Sequence, residues 1–123
     1  MDKPHKNLDV WKLSMELSRA IYRLTADFPG EEKFGLVSQM RRAAISIPSN
    51  LAEDAARSSS NEFRNFLSIA RSSLSELDTQ LDLSQHLGFI TQESRSEIDR
   101  LLTRVDKMLY ALRRSIKPAM SPK

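Results

Sequence analysis

The sequence predicts an all-α fold, an up-down-up-down antiparallel four-helix bundle. Apolar residues recur at helical spacing in four separate segments, at i, i+3, i+4 and i+7. The segments between them are short and carry proline, glycine or serine, so consecutive helices should lie side by side. No stretch alternates apolar and polar residues as a half-buried strand does. Three glycines and five prolines in 123 residues are too few for a turn-dense β fold. A chain of this length holds one domain with one core.

The first helix is predicted over residues 8–27. Val10, Leu13, Leu17, Ile21, Leu24 and Phe28 follow one another at steps of 3, 4, 4, 3 and 4, which places them on one face. Trp11, Met15, Ser18 and Tyr22 form a second stripe beside it. Phe28-Pro29-Gly30 stops the helix. The residues before Leu8, His5 among them, are expected to be disordered.

The second helix is predicted over residues 33–57, with Glu31 and Glu32 at its positive end. Its apolar face is Phe34, Leu36, Val37, Met40, Ala43, Ala44, Ile47 and Leu51. Pro48 falls inside this pattern and predicts a kink rather than a stop, because the stripe continues beyond it. The third helix, residues 60–87, opens on a capping box, Ser59 with Glu62 three residues on. It carries Phe63, Phe66, Leu67, Ala70, Leu74, Leu77, Leu81 and Leu87, and Gly88 follows its end. The fourth, residues 91–117, is capped by Thr91 and carries Ile98, Leu101, Leu102, Val105, Met108, Leu109, Leu112 and Ile116. Pro118 ends it, and residues 118–123 are expected to be a loose tail.

Composition narrows the chemistry. Hydrophobic residues make up 40% and charged residues 28%, as in ordinary soluble domains. No cysteine is present, which excludes disulfides, thiolate metal sites and cysteine nucleophiles. No apolar run approaches the ~20 residues of a membrane span. The chain is expected to be cytoplasmic and to engage no membrane. Its two histidines, His5 and His86, lack the Glu-x-x-His spacing of a bundle metal site. Glycine-rich phosphate loops and dinucleotide fingerprints are missing too. A non-enzymatic protein without cofactor or metal is the expectation.

Charge is unevenly spread. Residues 1–94 hold 11 basic and 13 acidic side chains, whereas residues 95–123 hold eight basic and three acidic. Arg100, Arg104, Arg113 and Arg114 are therefore candidate contacts to nucleic acid phosphates. The alternative is a solvated face whose last turn suits the helix dipole. A second unusual feature is a polar set on or near the apolar stripes: Gln39, Arg42, Asn50, Glu53, Arg71 and Glu76. Buried carboxylates are costly unless paired, so an Arg–Glu–Asn network is expected. It serves either as a polar layer that fixes helix register or a subunit interface, or as a ligand or phosphate site. The stripe of Trp11, Met15 and Tyr22 exceeds what a lone bundle buries and reads as an oligomer interface.

Several runs of residues resemble a known family. They are Leu8-Asp9-Val10-Trp11, Phe28-Pro29, Phe34-Gly35-Leu36, and Gln39-Met40-Arg41-Arg42-Ala43-Ala44. Ser46-Ile47-Pro48-Ser49-Asn50-Leu51-Ala52-Glu53 and Ile69-Ala70-Arg71-Ser72-Ser73-Leu74-Ser75-Glu76-Leu77 follow. Together, over residues 8–112, they look like the bacterial four-helix bundle proteins named for open reading frames in 23S rRNA intervening sequences. The resemblance implies an antiparallel bundle and a ring of five subunits. Similarity to the accessory proteins of diversity-generating retroelements implies binding of nucleic acid and a reverse transcriptase through basic ring surfaces. No catalytic residue carries over. Two functions are thus expected: a homo-oligomeric, pentameric scaffold or interaction protein with protein partners, or a module binding RNA or DNA, structured RNA foremost.

Overall fold

The computed structural model describes residues 1–55 and 59–117. It contains four long helices: α1 (Asp9–Thr25), α2 (Leu36–Ala55), α3 (Ser60–His86) and α4 (Gln92–Ser115). Two short 3-10 turns, Pro4–Asn7 and Gly30–Glu32, precede α1 and α2. No strand occurs among the described residues. Around the bundle α1 packs on α2, α2 on α3, α3 on α4 and α4 on α1, while the diagonal pairs stay apart. None of the helices in the described residues is long and apolar enough to cross a membrane.

The helix ends follow local chemistry. The Ser59 hydroxyl accepts from the Glu62 amide at 3.3 Å, and the Thr91 hydroxyl from the Ser94 amide at 3.1 Å. Each satisfies a donor the helix itself leaves unpaired. After α3 the Gly88 amide bonds the Gln85 carbonyl at 3.0 Å and the Phe89 amide bonds the Ser84 carbonyl at 2.9 Å. This reverse turn needs a left-handed residue, and Gly88 supplies it at φ +79°.

The start differs from the expected disorder. Pro4–Asn7 forms a turn, and the His5 ring packs edge-on against Trp11 at 5.2 Å. Helix α2 begins at Leu36 rather than at residue 33. The preceding residues are held in the Gly30–Glu32 turn, and the Glu32 carboxylate accepts from the Leu36 amide at 3.3 Å. Its expected end at residue 57 and the tail 118–123 lie outside the described residues.

Pro48 lies within α2, and the helix runs through it. Proline has no amide hydrogen, so the Ala44 carbonyl loses its helical donor. Ser18 of α1 takes that place. Its buried hydroxyl lies 3.2 Å from the Ala44 carbonyl and 3.0 Å from the Ser14 carbonyl, sharing one hydrogen between them. Replacing Ser18 with alanine should therefore leave a buried carbonyl unpaired and cost about 1–2 kcal/mol. Urea titration of the variant checks this, and a midpoint equal to that of the parent would show that the bond contributes nothing.

The core is continuous. Leu17, Ile21, Met40, Ile47, Leu67, Leu77, Leu81, Val105 and Leu109 are all fully buried. The most extensive seam is α2 against α3, and Ala43 of α2 and Ala70 of α3 are both buried. There the Ser46 and Ser73 hydroxyls bond each other at 2.8 Å. Cross-links along three of the four seams run in opposite order on the two helices. Arg41 reaches Thr25 while Ala44 reaches Ser18; Met40 meets Ser84 while Ser46 meets Ser73. On the remaining polar seam, Arg95 meets Asp82 while Arg113 meets Ser68.

Candidate anion-binding surface on α3 and α4

The α3–α4 seam is polar along its length and changes sign from one end to the other. At one end Arg95 sits on the apolar stripe of α4, three residues before Ile98 and seven before Leu102, so its stem enters the core. Its side chain is only 8% exposed. Its three nitrogens bond three carboxylates: Nη2 to Asp78 at 2.7 Å, Nη1 to Asp82 at 2.8 Å and Nε to Asp99 at 2.8 Å. Burial alone would lower the pKa of the guanidinium. The hydrogen bonds and charges of Asp99 and Asp82 outweigh that, and the net direction is upward, so it stays charged. The three carboxylates are about half exposed, and this end carries net negative charge.

At the other end the cations gather. Arg71 bonds Asp106 at 3.3 Å through Nε and lies over the Tyr110 ring, 5.3 Å from its centroid. Arg113 donates from Nε to the Ser68 hydroxyl at 2.8 Å. Arg64 of α3 donates from Nη1 to the carbonyls of Arg113 at 3.2 Å and Ile116 at 2.7 Å. It thereby satisfies the carbonyl end of α4, where a cation is favoured. Arg100, Arg104, Lys107 and Arg114 are exposed. Among the described residues none of these four has a carboxylate within ion-pairing distance. From Arg100 to Lys117 the chain has six basic side chains and one carboxylate, Asp106, which already pairs with Arg71.

Three open hollows follow this seam. The largest, about 630 Å³, spans Arg95, Asp99, Asp106, Arg71 and Lys107. Two smaller ones flank Arg113. One of about 280 Å³ is lined by Ser68, Arg71, Ser72, Ser75 and Arg113, and one of about 230 Å³ by Arg64, Tyr110, Arg113 and Arg114. The two basic hollows are smaller than ordinary small-molecule pockets of about 300–1,000 Å³.

The four arginines singled out in the sequence thus share α4, but Arg113 is half-buried and tied to α3, whereas Arg100, Arg104 and Arg114 are free on the surface. Lys107 and Tyr110 lie beside them on α4, and the packing of α3 on α4 adds Arg64.

Among the described residues the expected polar set is not assembled into one buried layer. Gln39, Arg42, Glu53 and Glu76 are exposed, so their polar and charged groups carry little desolvation cost. Glu76 accepts from Gln80 at 3.3 Å, and Arg71 turns to α4 instead. Asn50 is half-buried and donates to the Ser46 carbonyl at 2.7 Å and its hydroxyl at 3.0 Å. These positions lie at the edges of the α2 and α3 stripes, where the neighbouring helix leaves them uncovered. The buried charge is instead Arg95, which the sequence marks only as a cation on an apolar stripe with acidic residues one turn away.

The second stripe of α1 also divides. Trp11 is half-buried against the core and His5, and Ser18 is buried. Met15 and Tyr22 are each 41% exposed. The Arg41 guanidinium covers one side of Tyr22, 4.3 Å from the ring centroid.

Comparison with known proteins agrees with this architecture. The model of the family described as 23S rRNA-intervening sequence protein matches residues 6–111. A solved structure of a protein of unknown function from the S23 ribosomal protein family of Bacteroides thetaiotaomicron is 28% identical to this chain. The similarity covers 85% of this chain and 95% of that one, with a TM-score of 0.79. No curated protein matches. With the family match extending over most of the chain and a structural relative of the same bundle, the protein belongs to the 23S rRNA-intervening sequence protein family.

Proposed function

We propose that this chain is a non-enzymatic binding protein that engages the phosphate backbone of structured RNA through α4 and the adjoining face of α3. The observation that carries this reading is the run from Arg100 to Lys117, six cations against one carboxylate already paired with Arg71. Unpaired guanidinium and ammonium groups on a rigid helix attract phosphates without reading base sequence. Arg100 and Arg104 lie one turn apart, and Arg114 lies about 15 Å further along the axis, a span of several phosphates. The test is a titration of the protein with structured RNA at two salt concentrations. Binding should weaken steeply with salt, and the absence of binding at low salt overturns the reading.

A second reading, self-association into a scaffold, rests on the apolar side chains left uncovered on α1, on α2 and in the turn before α2. Met15, Tyr22 and Ile45 are each 41% exposed, and Phe34 is 89% exposed. The five-subunit ring implied by the family is the form proposed, and at +3 per chain it would carry about +15, strengthening phosphate attraction. Light scattering should then give a multiple of 14.0 kDa. A monomer mass at micromolar concentration would remove this reading.

A further inference from the structure

We infer that Tyr110 is a stacking platform for one unpaired nucleotide, whose phosphate occupies the hollow formed by Arg64, Arg113 and Arg114. This deepens the proposed binding of RNA and rests on it.

Tyr110 is 50% exposed although it sits in the middle of the basic half of α4. Its neighbours at i+3 and i+4 are Arg113 and Arg114, so ring and cations share one side of the helix. One face of the ring is taken by the Arg71 guanidinium, which Asp106 holds in place at 3.3 Å. The ring also borders the hollow of about 230 Å³ lined by the three arginines. A base stacked on the remaining face would complete an arginine–tyrosine–base sandwich, a contact that accepts any base because every base has a π-face.

The arginines are set for phosphate. Arg64 uses Nη1 on the carbonyls of Arg113 and Ile116, and Arg113 uses Nε on Ser68. These bonds fix both guanidiniums and leave their other N–H groups for a ligand. A fixed fork loses little entropy on binding. No carboxylate borders this hollow. A phosphate alone would need no aromatic wall, and an apolar ligand would not suit three cations. A nucleotide supplies both groups. It must be unpaired, because a paired base has its faces buried in the duplex stack.

The experiment measures binding of three probes to the full chain at low salt. They are a short single-stranded oligoadenylate, its duplex with oligouridylate, and an abasic strand of equal length, with RNA and DNA forms of the first. The single strand should bind roughly tenfold more tightly than the abasic strand. Tyr110→Leu should remove that advantage, whereas Tyr110→Phe and Tyr110→Trp should keep it. Equal RNA and DNA affinity marks a base-and-phosphate site, and an RNA preference adds a 2′-hydroxyl contact; either agrees with the inference. If the duplex and abasic strand bind as well as the single strand and Tyr110→Leu changes nothing, the stacking platform is overturned while phosphate binding stands. If no probe binds, both fall.

Discussion

Arg95→Ala is expected to lower stability by about 3 kcal/mol. The substitution removes a side chain whose stem fills part of the core and whose three nitrogens bond Asp78, Asp82 and Asp99. Breaking a fully buried ion pair by deleting one partner costs about 3–5 kcal/mol, because the other charge is left without compensation. Here the carboxylates are about half exposed, so water recovers part of the loss, and the figure falls at the low end of that range. Three carboxylates then face one another without their cation, which adds repulsion. Arg95→Met keeps the apolar stem and should cost less. Asp78→Asn added to Arg95→Met should recover part of that loss by relieving repulsion. Thermal melts of the three variants test this, with Arg95→Ala shifted down on the order of 10 °C. A change below about 0.5 kcal/mol for Arg95→Ala would show the cluster to be a solvated surface arrangement.

Reversing four charges on α4 is expected to weaken RNA binding on the order of a thousandfold at moderate salt. The variant is Arg100→Glu, Arg104→Glu, Lys107→Glu and Arg114→Glu. All four side chains are exposed and have no described ion pair, so the fold should be spared. Arg113 is left intact because its bond to Ser68 ties α4 to α3. Each lost phosphate contact should flatten the dependence of log K on log salt by about 0.7–0.9, so four contacts change the slope by about 3. Reversal of Arg19 and Arg23, exposed on α1, is the control for net charge and should have a small effect. Equal losses per reversed charge in the two variants would show that overall charge, and not the α4 surface, drives binding.

The helices themselves were legible. The 3.6-residue spacing of Leu13, Leu17 and Ile21 or of Ile98, Leu102, Val105 and Leu109 is a property of one backbone, and those residues are buried where the spacing puts them. The caps at Ser59 and Thr91 and the glycine turn at Gly88 are equally local. Edge positions were less legible. Gln39, Arg42 and Arg95 all lie on or near an apolar stripe, yet the first two are exposed and the third is buried. A rotation of a few tens of degrees about the helix axis separates the two outcomes, and the neighbouring helix decides which edge is covered.

By itself, the sequence determined four amphipathic helices, the caps of α3 and α4, the concentration of positive charge from Arg100 onward, and the family. Those depend on neighbours in the chain. Tertiary structure alone decided that Ser18 serves the carbonyl freed by Pro48, that Arg95 is enclosed by three aspartates, and that Arg64 and Arg71 join Tyr110 and Arg113. Each of these joins residues that are at least 13 apart along the chain, Asp99 excepted. Such contacts form because burying the apolar faces sets two helices side by side, and their polar edges must then find partners in whatever lies opposite.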